Sequence, residues 1–385
     1  MGSDSDSYVG SGTEMRRCVR CVMDTSDPNI GFDSNGVCNH CTRAELLLRS
    51  LPQTDVEVDA RLDRLRERVL GASRCGGYDC VIGMSGGIDS AYVALLASRL
   101  GLRALAVHFD NGWNSEVAVG NIEAACTKLG FDLETYVVNW NEFRDLQRSF
   151  LRASVIDIEL VTDHAIFAVM HRLAKDRGVK FVLSGTNIAT ESVMPDAWVW
   201  PKQDWRNIRA IQKRFGTVPL MTFPHDSILT FGMMRALNLG CTYVQILNNI
   251  HYRRDLAERE LSEELAWRDY GEKHHESIFT RFYQCAILPT KFGVDKRKAH
   301  LSSRIVNGEL SREEALAELA SPACGPDLLA EDREYVLKKL GFSSSEFDAI
   351  MAAPPRPHDD YPSLGRLLHW LRRRRDLVRE ARLTT

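Results

Sequence analysis

Five short apolar runs punctuate the middle of the chain: Cys80 to Met84, Ala104 to Phe109, Leu133 to Asn139, Lys180 to Leu183 and Cys241 to Leu247. Each has strand length and meets Gly, Asp, Asn or Ser on at least one side, so each predicts a strand. Between them the apolar spacing turns helical. Val93, Leu95, Leu96 and Leu100 give the stretch after Ile88 an apolar face. Ser115 to Leu129 predicts the next helix, Glu142 to Arg177 a long helical region broken near Val155 to Val161, and Phe223 to Leu239 and Glu258 to Tyr270 two more. Alternating strands and helices from Asp79 to Glu191 predict an α/β fold with a doubly wound parallel sheet. Before the sheet, Ala44 to Leu70 reads helical. After it, Leu310 to Leu340 alternates acidic helical segments with a Pro-Ala-Cys-Gly-Pro break, and Leu367, Leu368, Leu371 and Val378 mark a docked terminal helix despite the run Arg372 to Arg375.

The first strand runs into Ser85, Gly86 and Gly87, and a helix opens at Ile88 to Ser90. Glycines let the backbone turn tightly and approach a ligand, and free N–H groups at a helix start favour anions. A polyphosphate fits such a nest. The loop has no lysine, so it is not a Walker A sequence. The pattern Ser-Gly-Gly-x-Asp-Ser resembles instead the pyrophosphate loop of the PP-loop ATP pyrophosphatases, which implies attack at the α-phosphate while the loop holds departing pyrophosphate.

Ligands of open α/β sheets bind beyond the carboxyl ends of the strands. Asp110 ends the second strand and is a candidate for the nucleoside, although Asp110-Asn111-Gly112 is equally a turn sequence. Thr186 and Asn187, in Ser184-Gly185-Thr186-Asn187 after the fourth strand, are expected across the crevice. Asp163 and His164 face either the site or the surface. Attack at phosphorus needs positive charge that the loop lacks; Lys291 and Arg297 are candidates from the basic stretch Phe282 to Val306. The Trp-rich loop Met194 to Trp205 reads as a lid, an acceptor wall or packing against the C-terminal region.

Cys18-Val-Arg-Cys21 and Cys38-Asn-His-Cys41 flank sixteen residues rich in turn formers. Two such pairs let Cys18, Cys21, Cys38 and Cys41 converge on a metal. Zinc is the expected occupant, in a structural role because four thiolates leave no open position; an iron–sulfur cluster uses the same donors. His40 is read as a neighbour of this site. The remaining cysteines are expected in the core, Cys126, Cys241 and Cys285 in isolation.

Hydrophobic residues are 44% and charged residues 26%, as in soluble proteins generally, and no apolar run reaches membrane length. The polar, acidic start excludes a secretory signal and suggests a disordered tail, which makes a cytoplasmic location the default. A net charge of -3 gives no global attraction for nucleic acid.

The cysteine module (RRCVRCVMDTSDPNIGFDSNGVCNHC), SGGIDS, SGTN and KFGVDKRKAHLSSRIVNGELSREEALAEL together resemble the N-acetyl sugar amidotransferases of bacterial surface-polysaccharide biosynthesis, from Arg16 to about Leu319. The resemblance implies a PP-loop domain at 76–300, after a tail at 1–15, a zinc module at 16–50 and a helical connector at 51–75, and before a helical region at 301–385. It implies conversion of an acetamido sugar to an acetamidino sugar with ATP and ammonia in lipopolysaccharide or O-antigen assembly. Ser85, Gly86, Gly87, Asp89 and Ser90 would hold pyrophosphate and Mg2+, with Asp110, Thr186 and Asn187 toward the nucleotide and Asp89, Lys291 and Arg297 in catalysis. It further implies separate glutaminase and barrel-type subunits as the ammonia source. A PP-loop tRNA thiolase is the competing reading; it needs a sulfur-carrying cysteine near the loop and a basic face. A scaffold that has lost activity is disfavoured by the intact loop.

Overall fold

The computed structural model describes residues 15–73, 77–227, 240–269, 276–371 and 374. Two helices precede the sheet, α1 (Asn39–Leu48) and α2 (Asp55–Gly71). The one helix expected from Ala44 to Leu70 is thus two. Pro52 has no N–H with which to continue a helix, and Thr54 starts the second by accepting from Glu57 N.

The order continues β1 (Cys80–Gly83), α3 (Ile88–Arg99), β2 (Ala104–Asp110), α4 (Glu116–Leu129), β3 (Asp132–Val137), α5 (Trp140–Ala153), α6 (Leu160–Asp176), β4 (Phe181–Ser184), short α7 (Ile188–Glu191), α8 (Trp205–Phe215) and β5 (Thr242–Gln245). The expected break in the long helical region falls between α5 and α6, where Ser154 takes φ 57°. Phe223 to Ser227 is irregular; the rest of the helix expected there lies outside the described residues.

The five strands are parallel in the order β3-β2-β1-β4-β5. Alternation sets the two faces: Cys80 and Ile82 point into a layer with α2, α3 and α4, whereas Val81 packs with Leu105, Val182 and the α6 residues Val169 and Met170. The order reverses at β1, whose neighbours are β2 and β4, so the loops after β1 and β4 emerge side by side.

Beyond β5 come α9 (Arg254–Leu265), α10 (Ile278–Phe282), which runs on as a π-helix over Tyr283–Phe292, α11 (Arg297–Val306), α12 (Arg312–Ala320), α13 (Pro326–Leu340) and α14 (Ser344–Ala352). Capping boxes at Ser311/Glu314 and Ser343/Glu346 start α12 and α14. One apolar cluster runs from the four cysteines through Trp113 and α5 to Tyr361, so the cysteine module and the C-terminal helices share a core. Trp198 is 1% exposed in that core, and Trp200 stacks on His358 with ring centroids 4.7 Å apart. These two rings of the Trp-rich loop therefore pack inward.

The terminal helix over 365–371 departs from expectation. Leu367, Trp370 and Leu371 are nearly half exposed, so the stripe is not docked there, and most of the arginine run lies outside the described residues. No helix among the described residues is long and apolar enough to cross a membrane.

Two carboxylates of α5 anchor the chain that passes over it. Glu142 accepts from Thr222 N and Phe223 N, and Asp145 from Gln212 Nε2, Thr217 N, Thr217 Oγ1 and Val218 N at 2.7–3.0 Å. Burial pushes the Asp145 carboxyl up, but the donors from Val218 and Thr217 outweigh it and hold it below its ordinary range. The stabilisation is therefore complete above about pH 4, where the unfolded carboxyl is ionised, and is lost as pH falls through the lower folded value. Asp145→Ala strands these donors and is expected to cost about 3 kcal/mol in urea unfolding at pH 7, with the gap to wild type shrinking below pH 4.

Candidate active site at the strand switch point

The loop after β1 is shaped by its sequence. Gly86 has φ 84°, and a Cβ there would lie 2.4 Å from Ala118 O of α4, so no other residue fits. Gly87 has an ordinary φ of -77° and precedes α3 as its N-cap. Ser90 Oγ accepts from Ser85 N at 3.2 Å and donates to Gly87 O at 3.0 Å, while Ser85 Oγ accepts from Gly87 N at 3.3 Å. The serines thus fold the loop upon itself. Asp89, in the first turn of α3, accepts from the Tyr252 hydroxyl at Oδ1.

The parallel register Ile82↔Leu183 brings the second loop alongside. A Cβ on Gly185 would sit 3.1 Å from Asp89 C and Cβ, so the loops touch at these residues. Thr186 Oγ1 lies 2.9 Å from Ser184 Oγ and accepts from Gln245 Nε2 at 3.3 Å.

A cavity of ≈ 240 Å³ lies between the loops, lined by Ser85, Gly87, Asp89, Ser90, Thr186 and Thr190 with Glu191, Arg254 and Glu276. Through Ser85, Ser184, Gly185, Glu191 and Glu276 it joins a cleft of ≈ 600 Å³. Its lining includes the apolar Phe109, Ile166, Met170 and Val182 and the polar Asp163, Lys202, Thr280, Gln284 and Lys296.

Ser85, Gly86, Gly87, Asp89, Ser90 and Thr186 therefore come together at the switch point, but four candidates do not. Asp110 bends the chain by accepting from Gly112 N at 2.8 Å and lines neither space. Asn187 spends its oxygen capping α7, accepting from Thr190 N at 2.9 Å, and is 3% exposed. In both, a short polar side chain meets its own backbone first. Lys291 donates to Ile350 O and Ala353 O near the end of α14, where burial lowers its pKa. Arg297 is held by Asp295 at 2.8 Å and by Ser321 O, and lines a small side cavity. The sequence placed basic residues in this region without saying which way they point.

The neighbouring Lys296 does reach the cleft, paired with Glu159 at 2.9 Å. Asp163 also lines it, partly exposed, in a cluster where Lys202 lies 2.7 Å from the buried Asp157 and 2.9 Å from Asp163. Burial works against the Lys202 charge, yet the two carboxylates hold its pKa above the ordinary value. His164 is structural: Nδ1 donates to Lys202 O at 2.7 Å and Nε2 accepts from Asp226 N. His108 was not singled out; its Nδ1 donates to Met84 O and Nε2 accepts from Asn114 Nδ2 at 3.2 Å on the cleft wall.

The four cysteine sulfurs lie within 4.8 Å of one another, with close pairs at 3.6, 3.7 and 3.9 Å. A zinc tetrahedron with bonds of about 2.3 Å has edges of about 3.8 Å, so the donor set fits. Arg20 N, Met23 N and Cys38 N point at these sulfurs from 3.2–3.4 Å, as suits thiolates. His40 bonds Asp27 at 2.7 Å and remains a neighbour. Cys285 is not isolated: it is disulfide-bonded to Cys324, with Cα atoms 6.0 Å apart.

Strand order, the paired loops and the helical C-terminal region define an α/β protein with a five-strand parallel sheet whose two loops meet at the switch point. Residues 79–187 match the asparagine synthase family, and residues 276–374 match the LPS biosynthesis protein WbpG-like C-terminal domain. The two matched segments do not overlap, and neither spans half of the chain. No curated protein matches the chain. Similar solved structures include an NH3-dependent NAD synthetase from Campylobacter jejuni (14% identity, 78% of this chain and 97% of that one, TM-score 0.32). Others are an NAD+ synthetase from Burkholderia pseudomallei (19%, 51% and 98%, 0.30) and an NMN synthetase from Francisella tularensis (14%, 60% and 92%, 0.29). All three superpose loosely.

Gly86→Ala forces a side chain against Ala118 and a left-handed φ together. It is expected to destabilise by about 3 kcal/mol in denaturant unfolding, whereas Gly31→Ala, with nothing within 4 Å of the new Cβ, leaves stability unchanged.

Proposed function

We propose that this chain is an ATP-dependent amidotransferase of lipopolysaccharide biosynthesis that turns the acetamido group of an N-acetylated, nucleotide-linked sugar into an acetamidino group. One observation carries the reading. Thr280, Gln284, Lys296 and His300 of the WbpG-like segment line the same cleft as Ser85 and Ser184 of the two loops. A nucleotide loop and a glycan-biosynthesis domain thus share one reaction space.

An amide carbonyl is a poor electrophile. Its oxygen attacks the α-phosphorus of ATP, the bond to the β-phosphate breaks and pyrophosphate departs. Ammonia adds to the carbon of the resulting O-adenylyl imidate, and AMP leaves with the former amide oxygen. The loop N–H groups and Ser85, Ser90 and Thr186 surround the space where the departing phosphates belong. The apolar lining residues Phe109, Ile166 and Met170 suit an adenine ring. Among its described lining residues the loop cavity has three carboxylates, Asp89, Glu191 and Glu276, against one cation. Such a wall repels a polyphosphate, so these carboxylates would hold Mg2+, which supplies neutralising charge. Zinc held by Cys18, Cys21, Cys38 and Cys41 would have no open position for substrate and would be structural.

Ammonia is assigned to separate glutaminase and barrel-type subunits. In support, burial pushes the Cys80 thiol up to about 12 and those of Cys126 and Cys241 to about 11, so none is a ready nucleophile. A nucleotide-linked substrate suits a cytoplasmic location. The Cys285–Cys324 pair favours a second reading, tRNA thiolation, because Cys285 lines a side cavity that shares Thr190 and Arg254 with the loop cavity.

The test measures AMP and pyrophosphate with nucleotide-linked N-acetyl sugars plus ammonium chloride and, separately, with bulk tRNA. Sugar-dependent AMP release with a product lighter by the difference between O and NH is expected; AMP release that answers only to tRNA would sink the proposal. Metal analysis is expected to find one zinc per chain, and Cys38→Ser to lose it with a fall in melting temperature. Iron, with visible absorbance, would reassign the site as a cluster.

A further inference from the structure

We infer that α9 forms the third wall of the nucleotide site, with Arg254 as the cation that holds the departing pyrophosphate and Tyr252 as the residue that positions Asp89. The inference rests on the ATP reading above, and α9 lies in the stretch between residues 187 and 276 that neither family match covers.

Hydrophobic burial seats α9 first. Ala257, Leu261 and Leu265 are 0–2% exposed within the layer that α3 builds, and Arg99 of α3 pairs with Glu260 at 2.8 Å and Glu264 at 2.5 Å. Polar bonds then fasten both ends of this segment to the loop after β1. Before the helix, Tyr252 is 4% exposed, stands 5.8 Å from the Tyr92 ring and donates its hydroxyl to Asp89 Oδ1. After it, the Trp267 indole donates Nε1 to Gly86 O at 3.1 Å. Asn121 of α4 locks the exit by exchanging two hydrogen bonds of 2.8 Å with the Arg268 backbone. The loop is therefore held from outside as well as by its own serines.

This strap carries Arg254 to the cavity wall. Among the described lining residues of the loop cavity Arg254 is the one cation, facing the space that Ser85, Gly87 and Thr186 enclose. The adjacent Arg253 turns away: it pairs with Asp255 at 2.8 Å and is about half exposed. When attack at the α-phosphorus breaks the bond to the β-phosphate, the electron pair leaves with pyrophosphate. Loop N–H groups donate hydrogen bonds there but bring no net charge. A guanidinium brings both, in a fork that matches phosphate oxygens. Its attraction strengthens as charge gathers on the leaving group, so it favours the transition state over bound ATP. Tyr252 acts one step back: its hydroxyl fixes one carboxylate oxygen of Asp89 and so sets the orientation of the carboxylate.

The experiment uses the full-length chain with Mg2+, reading inorganic pyrophosphate affinity by calorimetry alongside steady-state AMP release. Arg254→Ala is expected to weaken pyrophosphate binding ~10-fold or more and to lower kcat ~10²-fold, with KM for the sugar unchanged and Arg254→Lys recovering part of both. Arg253→Ala is expected to match wild type. Tyr252→Phe keeps the ring but removes the donor, and is expected to raise the Mg2+ concentration that half-saturates pyrophosphate binding, with the melting temperature held. Wild-type pyrophosphate affinity and rate in Arg254→Ala, or equal losses in Arg253→Ala, would overturn the role of Arg254. An unchanged Mg2+ requirement in Tyr252→Phe would overturn that of Tyr252. A wild-type chain that binds neither pyrophosphate nor ATP would overturn the nucleotide reading and this inference with it.

Discussion

The contact between Gly185 and Asp89 is the constraint on which the site depends. Hydrogen bonding between parallel strands sets their separation at about 4.8 Å, so the loops leaving β1 and β4 must either fit against each other or force the strands apart. They fit because the second loop has no Cβ where the first turn of α3 comes closest. Two sequences about a hundred residues apart become one surface, and the cavity is what remains between them once Gly185 and Asp89 have met. A side chain on Gly185 would have to displace backbone, which moves only with the strand behind it.

The parts of this site that were legible in the sequence are those whose geometry is local. The apolar run before Ser85, the glycines and the helix after Ile88 specify a strand, a turn and an exposed helix start within a dozen residues. A doubly wound parallel sheet followed from strands and helices alternating; that the order reverses at β1 came from the structure. What failed were inferences from residue type to direction. Asp110 and Asn187 stand at the expected strand ends, but their oxygens lie within reach of backbone N–H groups two and three residues on, and local hydrogen bonds won. Lys291 belongs to a basic stretch that does border the cleft, yet the π-helical segment turns it toward Ile350 and presents Lys296 a few residues later instead. Arg254 had no local signature at all. It lies far along the chain from Ser85, and only the packing of α9 on α3 brings it back. The Cys285–Cys324 pairing was hidden for the same reason.

The cysteine module lies away from the loops and still bears on the cleft, through α11. Ser302 and Ser303, both fully buried, hold two different partners: Ser302 Oγ accepts from Val22 N at 3.3 Å, and Ser303 Oγ accepts from Val193 N at 3.0 Å, just past α7. Lys298 adds an ion pair with Asp24 at 2.6 Å, and Arg312 donates to the carbonyls of Cys18 and Cys21. Lys296 at the start of α11 and His300 one turn on face the cleft from this same helix. The module therefore supports the wall that carries them.

A metal closed by four thiolates has no chemistry to offer a substrate, so any influence it has on the reaction must pass through such contacts. Bound there, its four bonds would replace the core that a segment as short as residues 16–41 cannot build for itself. Rigidity gained there would pass to α11 through Ser302, and Ser303 of the same helix ties it to Val193 just past α7, which begins where the second loop ends. The loop after β1 is held in the corresponding way by α9, through Tyr252 and Trp267. Each loop is thus braced by an element remote from it in sequence, and the reacting groups inherit their placement from packing that contains no reacting group.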